Sequence, residues 1–233
     1  MARLPRVLLR AAITALLLTG ASPAATQPRC GLALVLAIDV SASVDATEYS
    51  LQMNGLADAL RADIVREAII EAGGIQATAF EWSGRNQQIE IAPWSFVATD
   101  TDILDFASRI AAHERRFDEF PTALGFALGH AAIRLSQAPI QCERSVVDVS
   151  GDGVNNDGYE PPLAFANFDF ENVTVNGLVI AGEQPDPVAY YRSKVIHGPG
   201  AFVEVAADFA DYEASMKRKL LREINGAALS MAQ

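Results

Sequence analysis

The chain has 233 residues, half of them hydrophobic, with 18 lysines and arginines against 29 aspartates and glutamates and a formal net charge of −11. That length supports one sizeable core. The acidic balance excludes the basic face that nucleic acid requires and argues against docking on anionic membranes.

The first residues read as a leader rather than as structure. Arg3, Arg6 and Arg10 form a basic start, residues 11–18 a short apolar run, and Ser22-Pro23-Ala24-Ala25 offers small residues for cleavage. Residues 1–25 are therefore expected to be a signal peptide, which predicts an exported protein, periplasmic or secreted. Its removal brings the net charge to about −14. No later segment reads as a membrane span, so the mature chain is expected to carry none.

Residues 32–38, Leu-Ala-Leu-Val-Leu-Ala-Ile, read as a fully buried strand. Residues 47–71 predict one long helix or two joined ones, with Leu56, Leu60 and Ile64 recurring every fourth position and Gly73-Gly74 as the stop. Residues 75–82 predict a strand, residues 83–86 a turn, and residues 87–94 a returning strand. A helix is expected over 101–112, a charged loop over 113–119, and a second apolar helix over 123–135 with Thr122 at its N-cap. Residues 145–149 predict a strand, 163–170 a short helix, 173–180 a strand, 187–195 a helix, 201–205 a last strand and 208–224 a closing helix. Helices alternating with strands around one hairpin predict an α/β fold: a doubly wound, mostly parallel sheet with one antiparallel edge hairpin and helices on both faces. In such sheets ligands sit at the carboxyl ends of the strands.

Three loops at those ends carry oxygen-bearing side chains. Asp39-Val40-Ser41-Ala42-Ser43 follows the first strand, Phe120-Pro121-Thr122 opens the 123–135 helix, and Ser150-Gly151-Asp152-Gly153 follows the strand at 145–149. Carboxylates and hydroxyls are hard ligands, suited to Mg2+, Mn2+ or Ca2+. Each residue also has a purely structural reading. Asp39, Ser41 and Ser43 can cap the helix that follows, Thr122 can be an N-cap only, and Asp152 can be a turn residue.

Asp-x-Ser-x-Ser, then Thr, then Asp-Gly, in this order and in these contexts, resembles the metal-ion-dependent adhesion site of von Willebrand factor A domains. The resemblance covers residues 30–228. More narrowly, Val-Ser-Ala-Ser-Val-Asp with Glu48-Tyr49, Glu81-Trp82-Ser83-Gly84, Pro93-Trp94 and Ser150-Gly151-Asp152-Gly153 resemble a bacterial family of secreted A-domain-like proteins of unknown function. The resemblance implies an A-type, Rossmann-like sheet and a site for Mg2+, or Mn2+ or Ca2+, at Asp39, Ser41, Ser43, Thr122 and Asp152. It implies a binding module rather than an enzyme, capturing a protein ligand through an Asp or Glu carboxylate at the open side of the metal. It also makes the first strand and the strand at 145–149 parallel neighbours, which brings Cys30 and Cys142 to one edge. In an exported chain that permits a disulfide, with two free buried thiols as the alternative.

Two other functional classes compete. Gly151-Asp152-Gly153-Val154-Asn155-Asn156-Asp157 also resembles the Mg2+ loop of haloacid-dehalogenase-like phosphatases. Ser41, however, stands where those enzymes place a general-acid Asp, and no lysine lies between Asp39 and Asp152 to offset a transferring phosphoryl group. The other class is a structural domain whose metal only stabilises it. His113, His130 and His197 fit no hydrolase or zinc motif and read as loop or packing residues.

Overall fold

The computed structural model describes residues 30–231, and side chains through residue 226. The expected leader, residues 1–25, lies outside the described residues. Six strands form one sheet: β1 (Leu32–Asp39), β2 (Ile75–Trp82), β3 (Gln88–Val97), β4 (Arg144–Gly151), β5 (Val173–Ile180) and β6 (Val203–Ala206). Their order is β3-β2-β1-β4-β5-β6. All neighbours run parallel except β2 and β3, which form the antiparallel hairpin at one edge. This is the predicted doubly wound sheet. Strands β1 and β2 are buried at every position because helices cover both sides of them.

The helices are α1 (Ala46–Arg61), α2 (Asp63–Glu71), α3 (Asp100–Ala111), α4 (Leu124–Ser136), α5 (Pro161–Asn167), α6 (Pro187–Tyr190) and α7 (Tyr212–Met231). Successive strand residues feed opposite cores. Leu32, Leu34, Leu36 and Ile38 of β1 pack with Leu56, Leu60, Ile103, Ile110, Met216 and Leu220 on one face. Val35 and Ala37 pack with Leu124, Leu128, Val147, Val149 and Tyr191 on the other.

Several boundaries differ from expectation for local reasons. The 47–71 segment is two helices, because Ala62 leaves the helical region at ψ 132°. The returning strand runs on to Val97 through Pro93, which an edge strand tolerates at an irregular register. The 187–195 helix is one α turn continued by a five-residue π turn, Tyr191–Val195. Residue 123, not Thr122, is the N-cap of α4, and no side chain caps that end. Cys30 and Cys142 form a disulfide joining the segments that enter β1 and β4.

Candidate metal centre

Burial of β1 carries Asp39 to the carboxyl edge of the sheet with its side chain wholly inaccessible. Gly151 on β4 follows Ser150, the register partner of Ile38, so the Gly151-Asp152 loop emerges beside Asp39. Backbone bonds then draw the second loop in. Ala42 N–H donates to Phe120 O at 2.9 Å, and Asn156 N–H donates to Thr122 O at 3.0 Å. Thr122 N–H donates in turn to the Asn156 side chain at 2.8 Å.

The five predicted oxygen-bearing side chains meet at this point. Thr122 Oγ1 donates to Ser41 Oγ at 3.1 Å, Ser41 Oγ and Ser43 Oγ lie 3.3 Å apart, and Ser43 Oγ donates to Asp152 Oδ1 at 2.9 Å. Asp39 Oδ1 accepts the Ser41 N–H at 2.8 Å, while its Oδ2 is buried without a hydrogen-bond partner among the described residues. Ser41, Thr122 and Asp152 are buried and Ser43 is exposed, so the cluster opens to solvent on the Ser43 side.

The capping alternatives fail on these contacts. Asp45 is the N-cap of α1, accepting from Thr47 N–H and Glu48 N–H and completing a capping box with Glu48. That leaves Asp39, Ser41 and Ser43 free of the role. Thr122 turns its hydroxyl to Ser41 and away from the α4 terminus.

The electrostatics are those of a closely packed acidic pair. Burial, and then the charge of Asp152, push the Asp39 carboxyl up to about 8. Asp152 is also raised, mainly by burial, with Glu183 and Glu48 adding to it. Glu183 lines a cavity of about 200 Å³ beside the cluster, walled by Ala42, Pro121, Val154 and Pro185. Among the described residues no three His, Cys, Asp or Glu side chains gather as a metal site; this cluster has two carboxylates and draws its other oxygens from hydroxyls. A cavity of about 660 Å³ lies at the opposite end of the sheet against Arg144, Phe202 and Arg222, away from these loops.

Two residues at the site carried no sequence signal. Arg115, in what reads as a solvated charged loop, donates to Val40 O, Ser41 O, Val44 O and Phe117 O at 2.7–3.0 Å. It clamps the Asp39–Ser43 loop from outside. Tyr191 lies wholly buried behind the cluster. The histidines sit apart: His113 meets buried Glu81 at 3.0 Å, His130 packs edge-on to Phe80, and His197 stacks on Phe165.

A family model described as "Protein of unknown function (DUF1194)" matches residues 29–228. The chain belongs to this family. No curated protein matches it in sequence. Among solved structures it is similar to proximal thread matrix protein 1 of the mussel byssus, with 16% identity and a TM-score of 0.64 over 84% of this chain and 49% of that one. A further structure of that mussel protein, "with zinc occupied MIDAS motif", matches at 17% identity and a TM-score of 0.60, over 84% and 48% of the two chains. It is likewise similar to a von Willebrand factor type A protein from Catenulispora acidiphila (15%, TM-score 0.59, 82% and 42%). The PilB minor pilin of Streptococcus sanguinis matches at 15% identity and a TM-score of 0.59, over 87% of this chain and 62% of that one. At these identities the likeness shows the fold, which is von Willebrand factor A-like. The chain spans about half or less of the first structures it matches.

Proposed function

We propose that this chain is an exported module that holds a divalent cation at Asp39, Ser41, Ser43, Thr122 and Asp152 and captures a protein partner's carboxylate there. The observation that carries the reading is the convergence of five oxygen-bearing side chains from three loops at the carboxyl edge of the sheet. The side-chain oxygens of Thr122, Ser41, Ser43 and Asp152 follow one another at 2.9–3.3 Å. Adjacent ligands of a six-coordinate Mg2+ at ~2.0–2.1 Å lie about 2.9 Å apart, so the donor set fits a small hard cation. The zinc-occupied MIDAS motif of the mussel relative supports a divalent cation on this fold in general terms. We assign Mg2+ here, with Mn2+ and Ca2+ as alternatives, from the all-oxygen set.

When bound, the cation supplies an electrophilic point at the protein surface for an incoming carboxylate oxygen. The chain's own groups set what can reach it. Neutral hydroxyls from Ser41, Ser43 and Thr122 leave the site poorly compensated, and exposed Ser43 marks the open side. Glu48 and Glu183 lie near enough to raise Asp152, so the partner's acidic residue should be flanked by basic ones.

The phosphatase alternative is disfavoured by two contacts. Asp157, which would complete its metal loop, is committed to Arg85 through a bidentate pair at 2.5–3.0 Å. Arg115, beside the cluster, directs each of its three guanidinium nitrogens at main-chain carbonyls. Export is supported by the Cys30–Cys142 bond, which suits oxidising compartments. Among the described residues no helix is long and apolar enough to cross a membrane.

The test is a pull-down from envelope extract in Mg2+ and in EDTA, repeated with Ser41→Ala/Ser43→Ala. Partners retained only by the wild type in Mg2+ are expected. An unchanged set of bound proteins refutes capture through the metal, and metal-dependent phosphate-ester hydrolysis lost in Asp39→Ala points to the enzyme.

A further inference from the structure

We infer that Tyr191 is a positioning residue of this cation site, its hydroxyl holding the Asp39 carboxylate from behind; the inference rests on the metal reading above. Tyr191 opens the π turn after α6 and is wholly buried. Its ring lies against the sheet where two glycines leave room. A Cβ on Gly177 would come within 2.6 Å of the ring, and a Cβ on Gly151 within 2.7 Å of the hydroxyl. The same added Cβ on Gly151 would lie 2.8 Å from Asp39 Oδ2. The hydroxyl and the carboxylate oxygen therefore face one small space above Gly151.

Neither oxygen has a hydrogen-bond partner among the described residues, and both are buried. Buried polar groups in folded proteins are nearly always satisfied. A phenol is a donor and a carboxylate an acceptor, so each supplies what the other lacks; the two are not hydrogen-bonded to each other directly, and one bridging water joins them. With Ser41 N–H on Oδ1 and Tyr191 O–H reaching Oδ2 through that water, the plane of the carboxylate is fixed. Each oxygen still keeps a lone pair for the cation or its waters. Groups that orient metal ligands in this way change affinity about 10–100-fold when removed. A phenylalanine would pack the same groove, so packing alone does not account for the hydroxyl at this depth.

The experiment is a Mn2+ titration of the wild type and Tyr191→Phe by calorimetry, with melting temperatures in EDTA and tyrosine ultraviolet difference spectra on adding Mn2+. Tyr191→Phe should bind Mn2+ about tenfold or more weakly, melt in EDTA as the wild type does, and lose the tyrosine difference signal. Equal affinity with the same difference spectrum overturns the inference. So does a lower melting temperature in EDTA with unchanged affinity, which would make Tyr191 a packing residue. A wild type that binds no Mn2+ overturns the metal reading itself, and the wild-type titration tells the two failures apart.

Discussion

Ser43 Oγ donates to Asp152 Oδ1 at 2.9 Å across 109 positions of sequence. The bond joins the loop after β1 to the loop after β4, and only the parallel pairing of those strands makes it possible. It places a hydroxyl and a carboxylate at one edge of the proposed cation site.

A protein with that site should be stabilised by its cation. With free Mn2+ at about 100 times the dissociation constant, binding contributes ~2.7 kcal/mol, which for a domain of this size raises the melting temperature by roughly 5–10 °C. Asp39→Asn keeps an acceptor for Ser41 N–H but loses the charge, and should show no Mn2+-dependent shift. Thermal melts with Mn2+ and with EDTA check this. An equal shift in both proteins removes Asp39 from the site.

Arg115 should matter more than its place in a charged loop suggests. Charged hydrogen bonds contribute ~1.5–3 kcal/mol each when well formed, and this half-buried guanidinium holds four carbonyls. Arg115→Ala is expected to cost about 2–4 kcal/mol and to weaken Mn2+ binding, with Arg115→Lys in between because an ammonium lacks the planar fork. Urea unfolding and calorimetry on the three proteins decide it.

The Cys30–Cys142 bond closes a loop of 112 residues. Loop-closure entropy puts its contribution at ~4–5 kcal/mol, with measured bonds often giving less. Cys30→Ser/Cys142→Ser should therefore unfold at lower urea than the wild type. Non-reducing peptide mapping of exported protein should find no free thiol at either position.

Asp148, Lys219 and Glu223 form a wholly buried triad between β4 and α7. Lys219 Nζ lies 2.7 Å from a carboxylate oxygen of each partner, and Asn176 donates to Glu223. Two carboxylates share one cation, so one of them favours a proton. Burial, with Glu223 adding to it and Lys219 opposing, pushes Asp148 up to about 7. Its folded value is above its unfolded one. The stability it contributes is therefore present in full below about pH 4 and is lost as pH rises through about 7. Asp148→Asn should remove that fall, measured as unfolding free energy from pH 4 to 9 in EDTA. Asp39, raised for the same reason, adds a slope of the same sign to both proteins, so their difference isolates Asp148. Lys219→Met, which strands two buried carboxylates, should cost ~3–5 kcal/mol at neutral pH.

The sequence alone determined the element order, because hydrophobic periodicity and Gly or Pro punctuation are local properties. It also placed the loops of Asp39, Ser41, Ser43 and Asp152 at strand ends and that of Thr122 at a helix start, the resemblance to the A-domain site singled out the five, and the fold brings their loops together. It placed the α4 cap one residue early, because the hydroxyl of Thr122 is claimed by Ser41, 81 positions away.

Tertiary structure alone decided the rest. Arg115 belongs to a predicted charged loop, and only the fold supplies its carbonyl partners; only the fold encloses Lys219 between Asp148 and Glu223. Tyr191 falls in a predicted helix, and only the fold brings its hydroxyl and Asp39 Oδ2 to one space over Gly151. Each of these roles depends on partners distant in sequence and on burial that the packed sheet imposes. Periodicity reports which face of an element turns inward, not which polar groups wait there to be paired.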